Sequence, residues 1–327
     1  MQTETVIEDV SPNGNIEAFV EQDDRVAYLY LRGAPETEFG VRSCWIRNLT
    51  AAPAEPDMSG MRRGIPPLLP RGYCVNPSGS SRLNARDLRI VWFEEGDAAA
   101  LVENGKTLAV IPSWSGTDGF HGFARDCTAE NPLCWPLTSD NALHERIKRS
   151  EEYWKAWDND PSPWDEVQEN QLNAYKQQLG DYEKYYGIDG GNWPPKAMIR
   201  TPYKGGLVLT TIGVCLRSQP SVETATDNPE AYRRIELGMV VGADLVNGFD
   251  RIGRYLSAQT NLPWRSYSWL GPGHTIPCDA FAGTEYTAVH LQYQPPGAPA
   301  ITLPHFRSDP VKLLWAVPIT EKELTRL

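Results

Sequence analysis

The spacing of apolar side chains changes near Asn141, and that change limits the folds open to this chain. Before it, short runs rich in β-branched and aromatic residues predict strands: Arg25 to Leu31, Val41 to Arg47 and Leu88 to Phe93. Two more, Ala99 to Glu103 and Thr107 to Ile111, flank Asn104-Gly105. That dipeptide accepts the positive φ angles of a tight turn and so predicts a hairpin. The loops Ala51 to Gly60 and Gly72 to Ser81 are long for a compact domain and read as binding surface or mobile connections.

After the change the period is helical. From Ala142 to Trp157, Leu143, Ile147, Trp154 and Trp157 recur among charged residues. Beyond Asp160-Pro161-Ser162-Pro163, a second amphipathic helix carries Trp164, Val167, Leu172, Tyr175, Leu179, Tyr182 and Tyr186, with Asp189-Gly190-Gly191 as its stop. The aromatic stripe reads as core before it reads as a partner surface. Strands are predicted over Gly206 to Val214, Arg234 to Val241, Tyr286 to Tyr293 and Val311 to Pro318. A helix from Asp244 to Thr260 places Leu245, Phe249, Ile252 and Leu256 on one face. A last helix opens with a capping box, Thr320 and Glu323.

Strands gathered around few helices, without regular βαβ repetition, give an α+β class with mixed sheets and packed helices. At 327 residues the chain is long enough for two domains, a β-rich N-terminal one over 1–140 and an α+β one over 141–327.

With 31 Lys and Arg against 42 Asp and Glu, the net charge is −11, a field that disfavours nucleic acid. It fits an ordinary soluble surface, or an acidic face that receives a basic partner. The polar start Met1 to Val6 has no signal-peptide pattern, and no apolar run approaches the ~18 residues of a membrane span. A cytoplasmic protein with no membrane partner is the expectation. The six cysteines sit mostly in apolar runs and read as reduced, buried thiols. Only Cys127 and Cys134 are close, at a spacing wrong for a zinc knuckle, so neither metal nor cofactor is expected.

Catalytic motifs are scarce: the sequence has no GxSxG, no GxxxxGK[ST] and no HExxH. Gly116 to Gly122 is rich in glycine but reads as a turn. The five histidines never pair at ligand spacing; His290 belongs to a strand, and His274 stands in a loop, Gly271 to Thr275. One enzyme alternative has the right material. Asp158, Asp160, Asp165 and Glu166 lie among Trp154, Trp157 and Trp164, as a carbohydrate-active or other hydrolase would need. The same residues also explain a helix junction capped by Asp160 or Ser162.

Several C-terminal segments occur in a telling order. Leu207 to Val214 is followed by Gln219-Pro220, then by Arg233-Arg234-Ile235-Glu236-Leu237-Gly238-Met239 and by Ile252-Gly253-Arg254-Tyr255-Leu256. Next come Gly273-His274-Thr275-Ile276-Pro277, Val289 to Pro296, and Val311 to Leu324, where an apolar strand runs into a Pro-Ile-Thr-Glu-capped helix. Over roughly 195–327 this order resembles the suppressor-of-fused domain, and the β-rich N-terminal part resembles the extra region of some bacterial members. The resemblance implies a non-catalytic protein that binds another protein, as a clamp on a partner peptide or as an immunity protein neutralising a toxin domain. It also implies uptake of an extended segment at strand edges. Trp264, Tyr267 and Trp269, with His274 and Thr275 of the adjoining loop, are the candidate partner-binding residues, aromatic side chains being common interface anchors.

Overall fold

The computed structural model describes residues 3–12, 14–35, 37, 39–243, 248–266 and 268–327. The chain divides into two compact units, Met1–Lys155 and Ala156–Leu327.

The first unit holds two sheets. β1 (Glu4–Val10), β2 (Ile16–Gln22), β3 (Val26–Gly33) and β4 (Val41–Asn48) form an antiparallel meander. In β2 the alternation is complete, with Ile16, Ala18, Val20 and Gln22 buried and the residues between them half-exposed. After a short helix α1 (Met58–Arg62), the second sheet runs β5 (Leu88–Trp92), β6 (Ala99–Glu103), β7 (Lys106–Ile111), β8 (Phe123–Ala124) and β9 (Trp135–Pro136), with the last pair parallel. The expected hairpin is β6–β7. Asn104 and Gly105 have φ of 48° and 78°, the left-handed pair that such a turn requires. The sheets meet where Gly122 has no side chain, since a Cβ there would lie 2.9 Å from Cys44 Sγ. Helix α2 (Leu143–Ala156) puts Leu143 and Ile147 against Val91, Phe93, Ala100 and Val110 of the second sheet.

The second unit is built on one mixed sheet of order β10-β11-β12-β13-β16-β15-β14. Its strands are β10 (Lys184–Gly187), β11 (Ala197–Tyr203), β12 (Gly206–Ile212), β13 (Arg234–Val241), β14 (Thr275–Pro277), β15 (Tyr286–Gln292) and β16 (Val311–Thr320). Among the described residues of this unit only β13 and β16 pair in parallel. Helix α3 (Pro163–Leu179) starts at the capping box of Ser162 and Asp165 with Pro163 in its first turn. It ends at Gly180 (φ 91°), well before Tyr186. Tyr182, expected on this helix, therefore lies beyond its end, and Tyr186, expected there too, belongs to β10 with Tyr185.

Helices α4 (Val222–Ala225), α5 (Phe249–Gln259), α6 (Leu262–Ser266) and α7 (Glu321–Leu324) complete the unit. Leu245, expected on the apolar face of α5, lies outside the described residues. Thr320 and Glu323 cap α7 reciprocally, as their spacing predicts.

β13 explains the layering. Ile235, Leu237, Met239 and Val241 join the core shared with Phe249, Ile252 and Leu256 of α5. The intervening Glu236 turns to α3, where Gln171 Nε2–H donates to it at 3.1 Å. Helices thus cover both faces of this sheet. Opposite Gly238, Trp315 fills the space a side chain would take, its ring 2.8 Å from a Cβ built there.

Candidate partner-binding face

Helix α5 crosses the sheet with a hollow along each margin. One hollow, of about 470 Å³, lies between α5 and the β10 edge and is lined mainly by Tyr186, Ile188, Met198, Phe249 and Gly253. Gly253 keeps it open: this buried turn of α5 carries no side chain, and a Cβ there would lie 3.3 Å from Met198 Cε of β11. Arg254 and Asp250 stand exposed at the rim.

β10 is the terminal strand of its sheet. Its register on β11 pairs Tyr186 with Met198, and Ile188 N–H donates to Lys196 at 2.9 Å. By the alternation of an antiparallel ladder, the backbone N–H and C=O of Tyr185 and Gly187 then face away from β11. That outer side can accept a further strand.

The second hollow, about 840 Å³ and wider, lies between α5 and the opposite edge, with Tyr255, Ala258, Pro277, Cys278 and Asp279 in its wall. Here the edge is closed. Pro277 has no N–H to offer, and its carbonyl accepts the Tyr255 hydroxyl at 3.2 Å. Burial pushes the Tyr255 phenol and the Cys278 thiol upward, so both stay protonated. Arg251 donates to the carbonyls of Ala280 and Ala282 and fixes the loop beyond β14.

The residues singled out from the sequence fall near this second edge. Trp264 is buried, its indole N–H donating to the Ser218 carbonyl at 3.0 Å and its face covered by the Arg217 guanidinium. Trp269, half-buried, sits edge-on between Tyr232 (5.3 Å) and His274 (4.6 Å). The turn beneath it needs glycine at 271, since a Cβ would meet the Trp269 ring at 2.3 Å. His274 is half-buried, and Thr275, exposed, opens β14. Tyr267 lies outside the described residues. The sequence pattern groups Trp269, His274 and Thr275 but hides the β10 edge, because Tyr186 falls at helical spacing from the residues before it.

The acidic residues of the hydrolase alternative take other roles. Asp165 accepts from the Ser162 backbone N–H at 2.9 Å and hydroxyl at 2.7 Å, which holds its carboxyl below the usual range. Asp158, Asp160 and Glu166 are exposed, while Trp157 packs edge-on against Trp193. Among the described residues no group of three His, Cys, Asp or Glu could hold a metal ion. No described helix is long and apolar enough to cross a membrane.

The fold and this face define an α+β protein whose second unit offers one open strand edge and two hollows beside a helix. Residues 196–327 match the family model described as Suppressor of fused protein (SUFU). The C-terminal part of the chain thus carries a suppressor-of-fused domain. That domain begins with β11 and takes in α5 and both its hollows, apart from the β10 wall. Neither the curated proteins nor the solved structures gave a match.

Proposed function

We propose that this chain is a non-catalytic protein-binding factor that takes up an extended segment of a partner along β10, with one side chain of that segment lodged in the hollow beside α5. The observation that carries the reading is the pairing of a suppressor-of-fused domain with a strand edge whose outward amides adjoin an apolar hollow. Main-chain hydrogen bonds to Tyr185 and Gly187 would supply affinity, and the shape of the hollow would supply selectivity. The resemblance supports a toxin domain neutralised in a bacterial cytoplasm as that partner, or a regulatory peptide held as by a clamp. A net charge of −11 suits a basic partner, since opposite fields raise encounter rates.

The test is calorimetric titration with the product of the neighbouring gene, using wild type and Gly187→Pro. Proline at 187 removes one outward N–H and leaves the β10–β11 ladder intact, and nothing lies within 4 Å of its Cβ position. The expected result is measurable wild-type binding that weakens about tenfold in the variant, as for loss of one backbone hydrogen bond. No wild-type affinity would overturn the immunity reading; equal affinity in a folded variant would overturn the β10 site.

A further inference from the structure

Four of the six cysteines gather in the first unit, and three of them are brought together by backbone pairing. Cys74 and Cys127 face each other across an antiparallel bridge. The flanking hydrogen bonds, Val75 N–H to Asp126 O and Thr128 N–H to Tyr73 O, are both 2.9 Å. This makes the two cysteines a non-hydrogen-bonded pair, the closer of the two kinds in such a ladder. Cys134 returns to the same place through the turn at Asn131. The Asn131 carboxamide oxygen accepts from the N–H of Leu133 at 2.9 Å and of Cys134 at 3.3 Å. Thus oriented, its Nδ2 lies 3.3 Å from Cys127 Sγ and 3.8 Å from Cys134 Sγ.

One amide therefore holds two sulfurs together on a loop that borders the surface. Cys127 itself is 4 % exposed, but Thr128, Ala129 and Glu130 beside it are open to solvent. We propose that Cys127 and Cys134 form an oxidisable dithiol, with Cys127 attacked first by a peroxide-class oxidant and Cys134 resolving the product to an intramolecular disulfide. The Cys127 thiolate displaces hydroxide from the peroxide O–O bond and becomes a sulfenic acid, its sulfur oxidised by two electrons. The Cys134 sulfur then attacks Cys127, the S–OH bond breaks, and the thiol proton leaves with the hydroxyl as water.

The polarity within the pair follows first from position: Cys134 is fully buried, whereas Cys127 is 4 % exposed beside the open Thr128 and stands nearer the Asn131 amide, 3.3 Å against 3.8 Å. The Cys134 thiol hydrogen-bonds to the Cys127 sulfur, which pulls the Cys127 thiol below its ordinary range and pushes that of Cys134 up. Cys44, Cys74 and Cys215 are held protonated by burial, so they serve as internal references for an unreactive thiol. The bridge would staple the loop between β8 and β9. This inference concerns the first unit and does not rest on the binding reading.

The experiment treats the full folded chain with hydrogen peroxide, blocks the remaining thiols with an alkylating agent and maps tryptic peptides by mass spectrometry. Cys127 and Cys134 share one tryptic peptide, Asp126 to Arg146, whereas Cys74 lies on Gly72 to Arg82. The expected product is the single peptide short of two hydrogens, restored by a thiol reductant and formed about tenfold faster than any change at Cys215. Cys134→Ser should leave Cys127 as a sulfenic acid trapped by dimedone. A cross-linked pair of peptides joining Cys74 to Cys127, or loss of Cys127 no faster than loss of Cys215, overturns the assignment. The wild-type map decides even where the variant fails to fold.

Discussion

Arg234 and Asp309 form an ion pair in the interior of the second unit, the guanidinium Nε–H donating to the carboxylate at 3.0 Å with both side chains buried. The same guanidinium donates from Nη1 to the carbonyls of Cys215 (2.8 Å) and Leu216 (3.2 Å) and lies over the Phe306 ring. One strand residue thus ties together the turn after β12 and the loop before β16. Removing one partner of such a pair leaves a buried charge uncompensated. Asp309→Ala should destabilise the second unit by about 3–5 kcal/mol in urea unfolding, whereas replacing both residues by apolar ones of similar size should cost less.

Glu236 is the hub of a second interior network. It accepts from the N–H groups of Gly213 (2.9 Å) and Cys215 (3.1 Å), from the Gln171 amide (3.1 Å) and from the Thr211 hydroxyl (2.6 Å). Burial pushes its carboxyl up, and these bonds pull it back. Glu236→Ala strands the Gly213 and Cys215 N–H groups in the interior, each at a cost of about 1–3 kcal/mol, and leaves the Thr211 hydroxyl and Gln171 amide only their weaker contacts to Leu237 O and Cys215 Sγ, so it should prevent the second unit from folding. A cooperative transition at wild-type denaturant concentration would contradict this.

Asp97 makes the first unit pH-dependent. Burial, reinforced by the negative charge of Glu95, pushes its carboxyl up to about 7 against the opposing fields of Arg42 and Arg146. The unfolded chain gives up this proton near 3.8, whereas the folded unit keeps it until about 7. The stabilising contribution of the protonated form is therefore complete below that lower value. It falls by about 1.4 kcal/mol per pH unit between the two and is gone above the upper one. Asp97→Asn should flatten that slope and be the more stable protein at about pH 8, as read by urea unfolding across the range.

Gly213 closes β12 in a left-handed conformation, φ 89°. A Cβ there would lie 2.7 Å from both the Pro195 carbonyl and the Trp164 ring. Gly213→Ala combines backbone strain of about 1–3 kcal/mol with a clash, and should lower the melting temperature of the second unit. Gly187→Ala, with an unobstructed Cβ, should change stability by less than about 0.5 kcal/mol.

Where a signal was local, the chain could be read directly. Asn104-Gly105, the Thr320–Glu323 box and the runs that became β4, β13 and β16 all depend on neighbours within a few residues. The expected strand Gly206 to Val214 stops at Ile212 instead, because Gly213 and Cys215 turn their amides to Glu236. The α3 stripe is altered in the same way: Leu172, expected on the buried face, is only half-buried, while its neighbour Gln171 is buried because its partner Glu236 stands 65 residues further along the chain. The period changes near Asn141, yet the first compact unit runs to Lys155, since Leu143 and Ile147 pack on its second sheet.

The sequence by itself determined the α+β class, most of the helices and turns, and the suppressor-of-fused segment, because propensity, capping and side-chain period act over a few residues. Only the tertiary structure decided which strand would be an open edge, that Pro277 and Tyr255 would close the other, and that Cys127 would meet Cys74 and Cys134. Those relationships depend on strand order and on loops that return the chain to a distant point. No local pattern encodes them, because the hydrogen bonds and packing that select them exist only once the whole unit has formed.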